Sequence, residues 1–187
     1  MKTVLGILML MVLATGCSSE NRELHQAVAF RQELLSAEGC SFSASVTADY
    51  GDTLQIFSMN CSADRNGNLH FEITEPESIS GICGEISGSG GRILFEDQAL
   101  YFPLLTDDLL TPASAPWIFL KALRSGCITS VGREGELLHI CVDDSYEEDA
   151  LNLDIWLAES CPVRGDILHE GRRILSLEIK NFVFTQQ

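Results

Sequence analysis

The sequence predicts a mainly β domain of the α+β class, an antiparallel meander of about eleven strands with two helices. Three observations carry this. Apolar and polar residues alternate from Cys40 nearly to the C-terminus, the period of half-buried strands. Glycine, proline and acidic clusters break that alternation at short intervals, as hairpin turns do. Only two stretches switch to helical spacing, too few for the crossovers that parallel strands need.

Residues 19–38 read as the first helix, because Leu24, Ala27, Val28, Leu34 and Leu35 recur near the 3.6 period, with Arg31 interrupting them. Ser19 suits its start, and Gly39 suits a left-handed stop. The stripe is narrow, so this helix should lie on an apolar surface rather than be buried all round. Phe42, Ala44 and Val46 then alternate with small polar residues, 49–52 is a turn, and Leu54 to Met59 runs back. Leu69, Phe71 and Ile73 alternate with His70 and Glu72 until Pro76, and 79–87, 92–96 and 99–103 are three further short strands. Pro112 opens the second helix, 112–125, in which Trp117, Leu120 and Leu123 are periodic and Gly126 lies just beyond. Strands 127–131, 137–142, 151–157, 166–169 and 172–184 complete the chain. In the last, Leu175, Leu177 and Ile179 share one face while Phe182 and Phe184 have opposite parity. A bulge near Asn181 reconciles them, as in a curved sheet.

The N-terminus carries Lys2 and then an apolar run over 4–14, too short to cross a hydrocarbon core of about 30 Å. It reads as a secretory signal. Its end, Leu13-Ala14-Thr15-Gly16-Cys17, resembles a bacterial lipoprotein signal, with Ala14 where that signal usually has leucine. The resemblance implies that residues 1–16 are removed and that Cys17 becomes the acylated mature N-terminus. Residues 17–20 would then be a lipidated tether, within a single domain of residues 17–187.

Lys plus Arg number 12 and Asp plus Glu 27, a net charge of −15 that becomes −16 once Lys2, the one charge of residues 1–16, is lost. Such a chain repels phosphate backbones and anionic lipid head groups, which argues against a nucleic-acid partner and against a domain lying flat on the bilayer. No second long apolar run follows the signal, so the acyl group is the expected anchor on the extracytoplasmic face of the cell membrane. The run 84–91 is glycine-rich but lacks a P-loop lysine and a following helix, and so reads as a hairpin. Neither GxSxG nor a Cys–His signature accompanies His25, His70, His139 or His169, and His70 and His139 alternate with apolar neighbours and should face water. The acidic run 143–149 lacks calcium-loop spacing and reads as a solvated loop. The expectation is a non-enzymatic protein without metal or cofactor.

Cys40, Cys61, Cys83, Cys127, Cys141 and Cys161 remain after Cys17, an even number in an exported chain. A two-residue turn at Tyr50-Gly51 sets Cys40 opposite Cys61 at a non-hydrogen-bonded site, where side chains approach closely enough for a disulfide. A three-residue turn at 133–135 likewise sets Cys127 opposite Cys141. Cys83 and Cys161 are left by elimination.

Glu75-Pro76 before a strand, Leu110-Thr111-Pro112 opening the second helix, and Cys161-Pro162-Val163 with Ile167, Gly171 and Ile174 through Phe182 carry a wider resemblance. The chain resembles the LolA/LolB-like superfamily of envelope lipoproteins and carriers over nearly all of its mature length. That resemblance implies a curved antiparallel half-barrel whose open side is plugged by the two helices. The apolar cavity between them would take lipid acyl chains or a lipidated ligand. The concave parity is then Phe42, Val46, Phe57, Leu69, Phe71, Ile73 and Leu177, with Trp117 and Leu120 opposite. Leu104, Leu105, Leu109 and Leu110 precede the second helix and make it the densest apolar cluster outside the strands. The alternative, from a different class, is a tethered partner protein whose acidic surface steers a basic cell-envelope enzyme, such as a cell-wall hydrolase.

Overall fold

The computed structural model describes residues 17–95, 98–103, 105–106, 109–146 and 150–185. The signal segment therefore lies outside the described residues, as do Leu104 and part of the acidic loop. Helix α1 is Cys17–Ser36, so the stretch read as a tether, 17–20, is already helical backbone. Strands β1 (Gly39–Asp49), β2 (Leu54–Asp64), β3 (Leu69–Glu75), β4 (Cys83–Ser87), β5 (Gly90–Phe95) and β6 (Gln98–Phe102) follow as a meander. A small hairpin, β7 (Leu105–Thr106) with β8 (Leu109–Leu110), leads into helix α2 (Ala115–Ser125). The second meander is β9 (Cys127–Glu134), β10 (Leu137–Asp143), β11 (Asn152–Ala158), β12 (Cys161–His169) and β13 (Arg172–Thr185). The eleven-stranded sheet has the order β6-β5-β4-β3-β2-β1-β13-β12-β11-β10-β9 and is antiparallel throughout. β13 pairs with β1, which joins the two meanders, while β6 and β9 are the sheet edges among the described residues. This is the expected curved half-barrel.

The bulge expected near Asn181 is present. Ser43 pairs with Lys180 but Ser41 with Val183, and Asn181 has a φ of 55°. The extra residue turns Phe182 onto the inner face, where its ring lies 5.8 Å from that of Phe42 and 6.1 Å from that of Phe30. Those partners explain α1. Its buried residues are Ala27, Phe30 and Leu34, whereas Leu24, Val28 and Leu35 are exposed, so the core-facing stripe is one step round from the expected one. Gly39 does not end the helix in a left-handed conformation; it opens β1, where a Cβ would collide with the Ala63 carbonyl. Ile79 belongs to a 3₁₀ turn, Glu77–Ile79, rather than to β4.

Both derived cysteine registers are corrected. The β1–β2 loop is Tyr50 to Thr53, closed by the Tyr50 N–H donating to Thr53 O at 3.1 Å, so Cys40 faces Ala63 and Cys61 faces Phe42. Tyr50 joins the loop because its hydroxyl donates to Leu110 O and draws the ring against the core. A two-residue slip preserves parity but leaves Cys40 and Cys61 diagonal, at about 7–8 Å rather than disulfide range. Cys127 faces Asp143 and Cys141 faces Ser130, because Gly135-Glu136 is the turn. Cys83 and Cys161 lie on β4 and β12, five strands apart in the sheet. All six are free thiols. Burial pushes Cys40 up to about 11 and Cys61 higher still, so neither is a ready nucleophile. Alkylation of the folded chain should label exposed Cys161 rapidly and leave Cys40 and Cys61 until the protein is denatured. Peptide mapping checks this; a disulfide found at either would contradict the register.

Candidate functional site: the inner face and its plug

Two cross-strand ladders organise the inner face. The first runs Phe57, Val46, Leu177, Gly165, Ile155, Ile140, Val131 across seven strands, from β2 through β1 and β13 to β9. Its centre is Gly165, over which the Phe119 ring of α2 is laid so closely that no Cβ would fit. Phe119 is fully buried, and Ile118, Leu120, Ala122 and Leu123 are buried with it. The glycine thus seats the helix.

The second ladder runs Phe42, Cys61, Phe71, Gly84, Ile93, Leu100 across β1 to β6. Phe71 covers Gly84 as Phe119 covers Gly165. Exposure rises outward along this ladder: Phe42, Cys61 and Phe71 are at most 4% exposed, Ile93 is half-buried, and Leu100 is 66% exposed. An apolar inner face therefore continues past the helical plug and emerges at the β6 edge.

The inner-face residues expected from the sequence, Phe42, Val46, Phe57, Leu69, Phe71, Ile73 and Leu177, are all buried in one core, and Leu120 joins them. They form packed interior, with α2 filling the space between. Trp117 is the exception. It sits half-buried at the rim, where its indole N–H donates to Gly67 O at 3.0 Å, as an amphipathic ring with one polar atom requires.

Polar ties hold the plug. Arg31 of α1 donates through Nε to Leu123 O at 2.6 Å, in the last helical turn, and through Nη2 at 3.3 Å to Ala122 O, which also accepts the Gly126 N–H at 2.8 Å. Arg124 donates to Arg65 O in the β2–β3 turn, and Lys121 meets Asp144 at 3.3 Å. The arginine that interrupts the α1 stripe is therefore the joint between the helices. On the outer face, burial favours protonation of Asp166. Bonds from Arg164, Ser176 and Arg173 outweigh it and hold the carboxyl below its ordinary value.

No protein-family profile matches this sequence, and no curated protein does. Among solved structures, the chain is similar to the LolA superfamily protein from Nitrosomonas europaea at 10% identity and a TM-score of 0.48, covering 91% of this chain and 95% of that one. It is similar to an uncharacterized conserved protein from Thermus thermophilus at 14% identity and a TM-score of 0.48, covering 88% of each. It is also similar to the Mycobacterium tuberculosis lipoprotein LppX at 11% identity and a TM-score of 0.41, covering 86% of this chain and 93% of that one.

Proposed function

We propose that this chain is a lipid-anchored extracytoplasmic protein, tethered through Cys17, that binds acyl chains of a lipid or lipidated ligand along the inner face of its half-barrel without catalysing a reaction. The observation that carries the reading is the ladder from Phe71 through Ile93 to Leu100, an apolar track that starts in the core and ends exposed at the sheet edge. Leu100 is among the most exposed large apolar residues described, and an acyl chain lying along the track would cover it. A chain entering at Leu100 meets Ile93 and then the Phe71 and Phe102 rings, which lie over Gly84 and Gly91 and must swing aside to admit it. Sixteen methylenes gain on the order of 12 kcal/mol over water, at about 0.8 kcal/mol each, but most of that already exists in a bilayer. Net transfer is then small, which suits a carrier. Delipidated full-length protein should take up a fluorescent fatty acid saturably, and Leu100→Asp should abolish uptake with the thermal midpoint unchanged. Absence of uptake by the wild type overturns the proposal.

The second reading, a tethered partner of a basic envelope enzyme, is favoured by the net charge of −15. Its signature is capture of that enzyme from membranes at low salt and loss of it at moderate salt.

A further inference from the structure

The outer face of the sheet carries a cluster that the acyl-binding reading leaves unused. Cys141 of β10 and Asp154 of β11 are direct cross-strand partners, and His139, two residues before Cys141, projects from the same face. The three ligand atoms form a small triangle. His139 Nε2 is 3.0 Å from Asp154 Oδ1, Cys141 Sγ is 3.3 Å from that oxygen, and Sγ to Nε2 is 3.9 Å. From the geometry we infer a binding site for a divalent cation of the zinc class, held by His139, Cys141 and Asp154.

The dimensions support this. Metal bonds of about 2.3 Å to sulfur and about 2.0–2.2 Å to nitrogen and oxygen, at tetrahedral angles, give ligand-to-ligand edges of about 3.3–3.6 Å. The observed edges bracket that range, so an ion enters with ligand shifts of a few tenths of an ångström. The donor set is equally selective. One sulfur, one imidazole nitrogen and one carboxylate oxygen suit a borderline ion, whereas calcium and magnesium take oxygen cages.

The surroundings fix the histidine. Its ring stacks on Trp156 at 4.8 Å between centroids and 16° between planes. Trp156 is itself held by its indole N–H donating to Glu134 Oε2 at 2.6 Å, and Arg164 lies over it at 4.5 Å. Such support around a ligand keeps the ring in one orientation before the metal arrives. His139 and Asp154 side chains are 28% and 32% exposed, so the ion has an entry path and a fourth position open to water. On binding, the S–H bond of Cys141 breaks, a sulfur–metal bond forms, and the thiol proton passes to solvent. The site bridges β10 and β11, so the ion acts as a cross-strand staple.

Cobalt(II) reports the site directly, because a thiolate ligand gives a charge-transfer band and tetrahedral coordination gives intense visible bands. Purified full-length protein with its thiols reduced should develop both at one equivalent, and zinc should displace them. Cys141→Ser should remove the charge-transfer band, while Cys161→Ser should leave it. His139→Gln and Asp154→Asn should each weaken cobalt binding at least tenfold, and zinc should raise the thermal midpoint of the wild type but not of these two variants. A wild type without a charge-transfer band overturns the inference, as does a band that survives Cys141→Ser. If Cys141→Ser fails to fold, unchanged cobalt affinity in His139→Gln overturns it equally.

Discussion

Phe71→Asp should abolish folding. Phe71 is 4% exposed, and its ring fills the space above Gly84 that no side chain of that residue occupies. Removing a buried phenylalanine costs about 3–5 kcal/mol in lost burial and cavity formation. The introduced carboxylate costs several more, because the inner face around it offers only Cys61, Gly84 and apolar neighbours to pair with. Together these match the whole stability of about 5–15 kcal/mol expected of a domain this size. Far-ultraviolet circular dichroism of the purified variant should lack the sheet signal of the wild type. A folded variant with a wild-type midpoint would mean that this part of the inner face is not core.

Leu120→Ala should lower stability by about 2–5 kcal/mol, as large-to-small changes in packed interiors do. Leu120 is 3% exposed on the helix whose neighbour Phe119 covers Gly165, so the vacated volume lies under the plug. An acyl chain that runs on from the β3–β6 track beneath α2 would fill that volume. A saturating fatty acid should therefore raise the thermal midpoint of Leu120→Ala by more than that of the wild type, since ligand that binds only the folded state stabilises it by mass action. Equal shifts in both proteins would separate the plug from the ligand path.

Much of this architecture can be read from single residues. The parity break between Ile179 and Phe182 indicates a bulge, because side-chain alternation allows no other repair, and the structure has it at Asn181. The inward parity of Phe42, Val46, Phe71 and Leu177 is legible for the same reason. Facing partners are harder. Whether Tyr50 ends a strand or opens a loop depends on its hydroxyl reaching Leu110 O, a contact across 60 residues that local turn chemistry does not encode. The resulting slip of two residues keeps every face and changes every neighbour, which is why the inner face was legible and the cysteine pairs were not.

Long-range polar contacts hid other parts of the site. Arg31 looks like a fault in an apolar stripe until Leu123 O, 92 residues away, accepts its Nε–H. Phe30 has no visible role until Phe182 and Phe184 are brought beneath it. The metal cluster gives only half a signal in sequence, His139 and Cys141 two apart on a strand. Asp154 arrives from the next strand, in a register set by a loop whose acidic residues indicate exposure but not length. The rim position of Trp117 follows from its single polar atom, but its acceptor in the β2–β3 turn belongs to tertiary structure.

The central claim is that the apolar track from Phe71 to Leu100 receives acyl chains. Photocrosslinking tests it most directly. Delipidated full-length protein is loaded with a fatty acid bearing a photoreactive group at its methyl end, irradiated, and mapped by peptide mass spectrometry. Adducts are expected on the inner-face residues Phe71, Ile93 and Leu100 and on α2, suppressed by excess unlabelled fatty acid. Adducts confined to the outer face, or labelling that unlabelled fatty acid does not suppress, would contradict the claim.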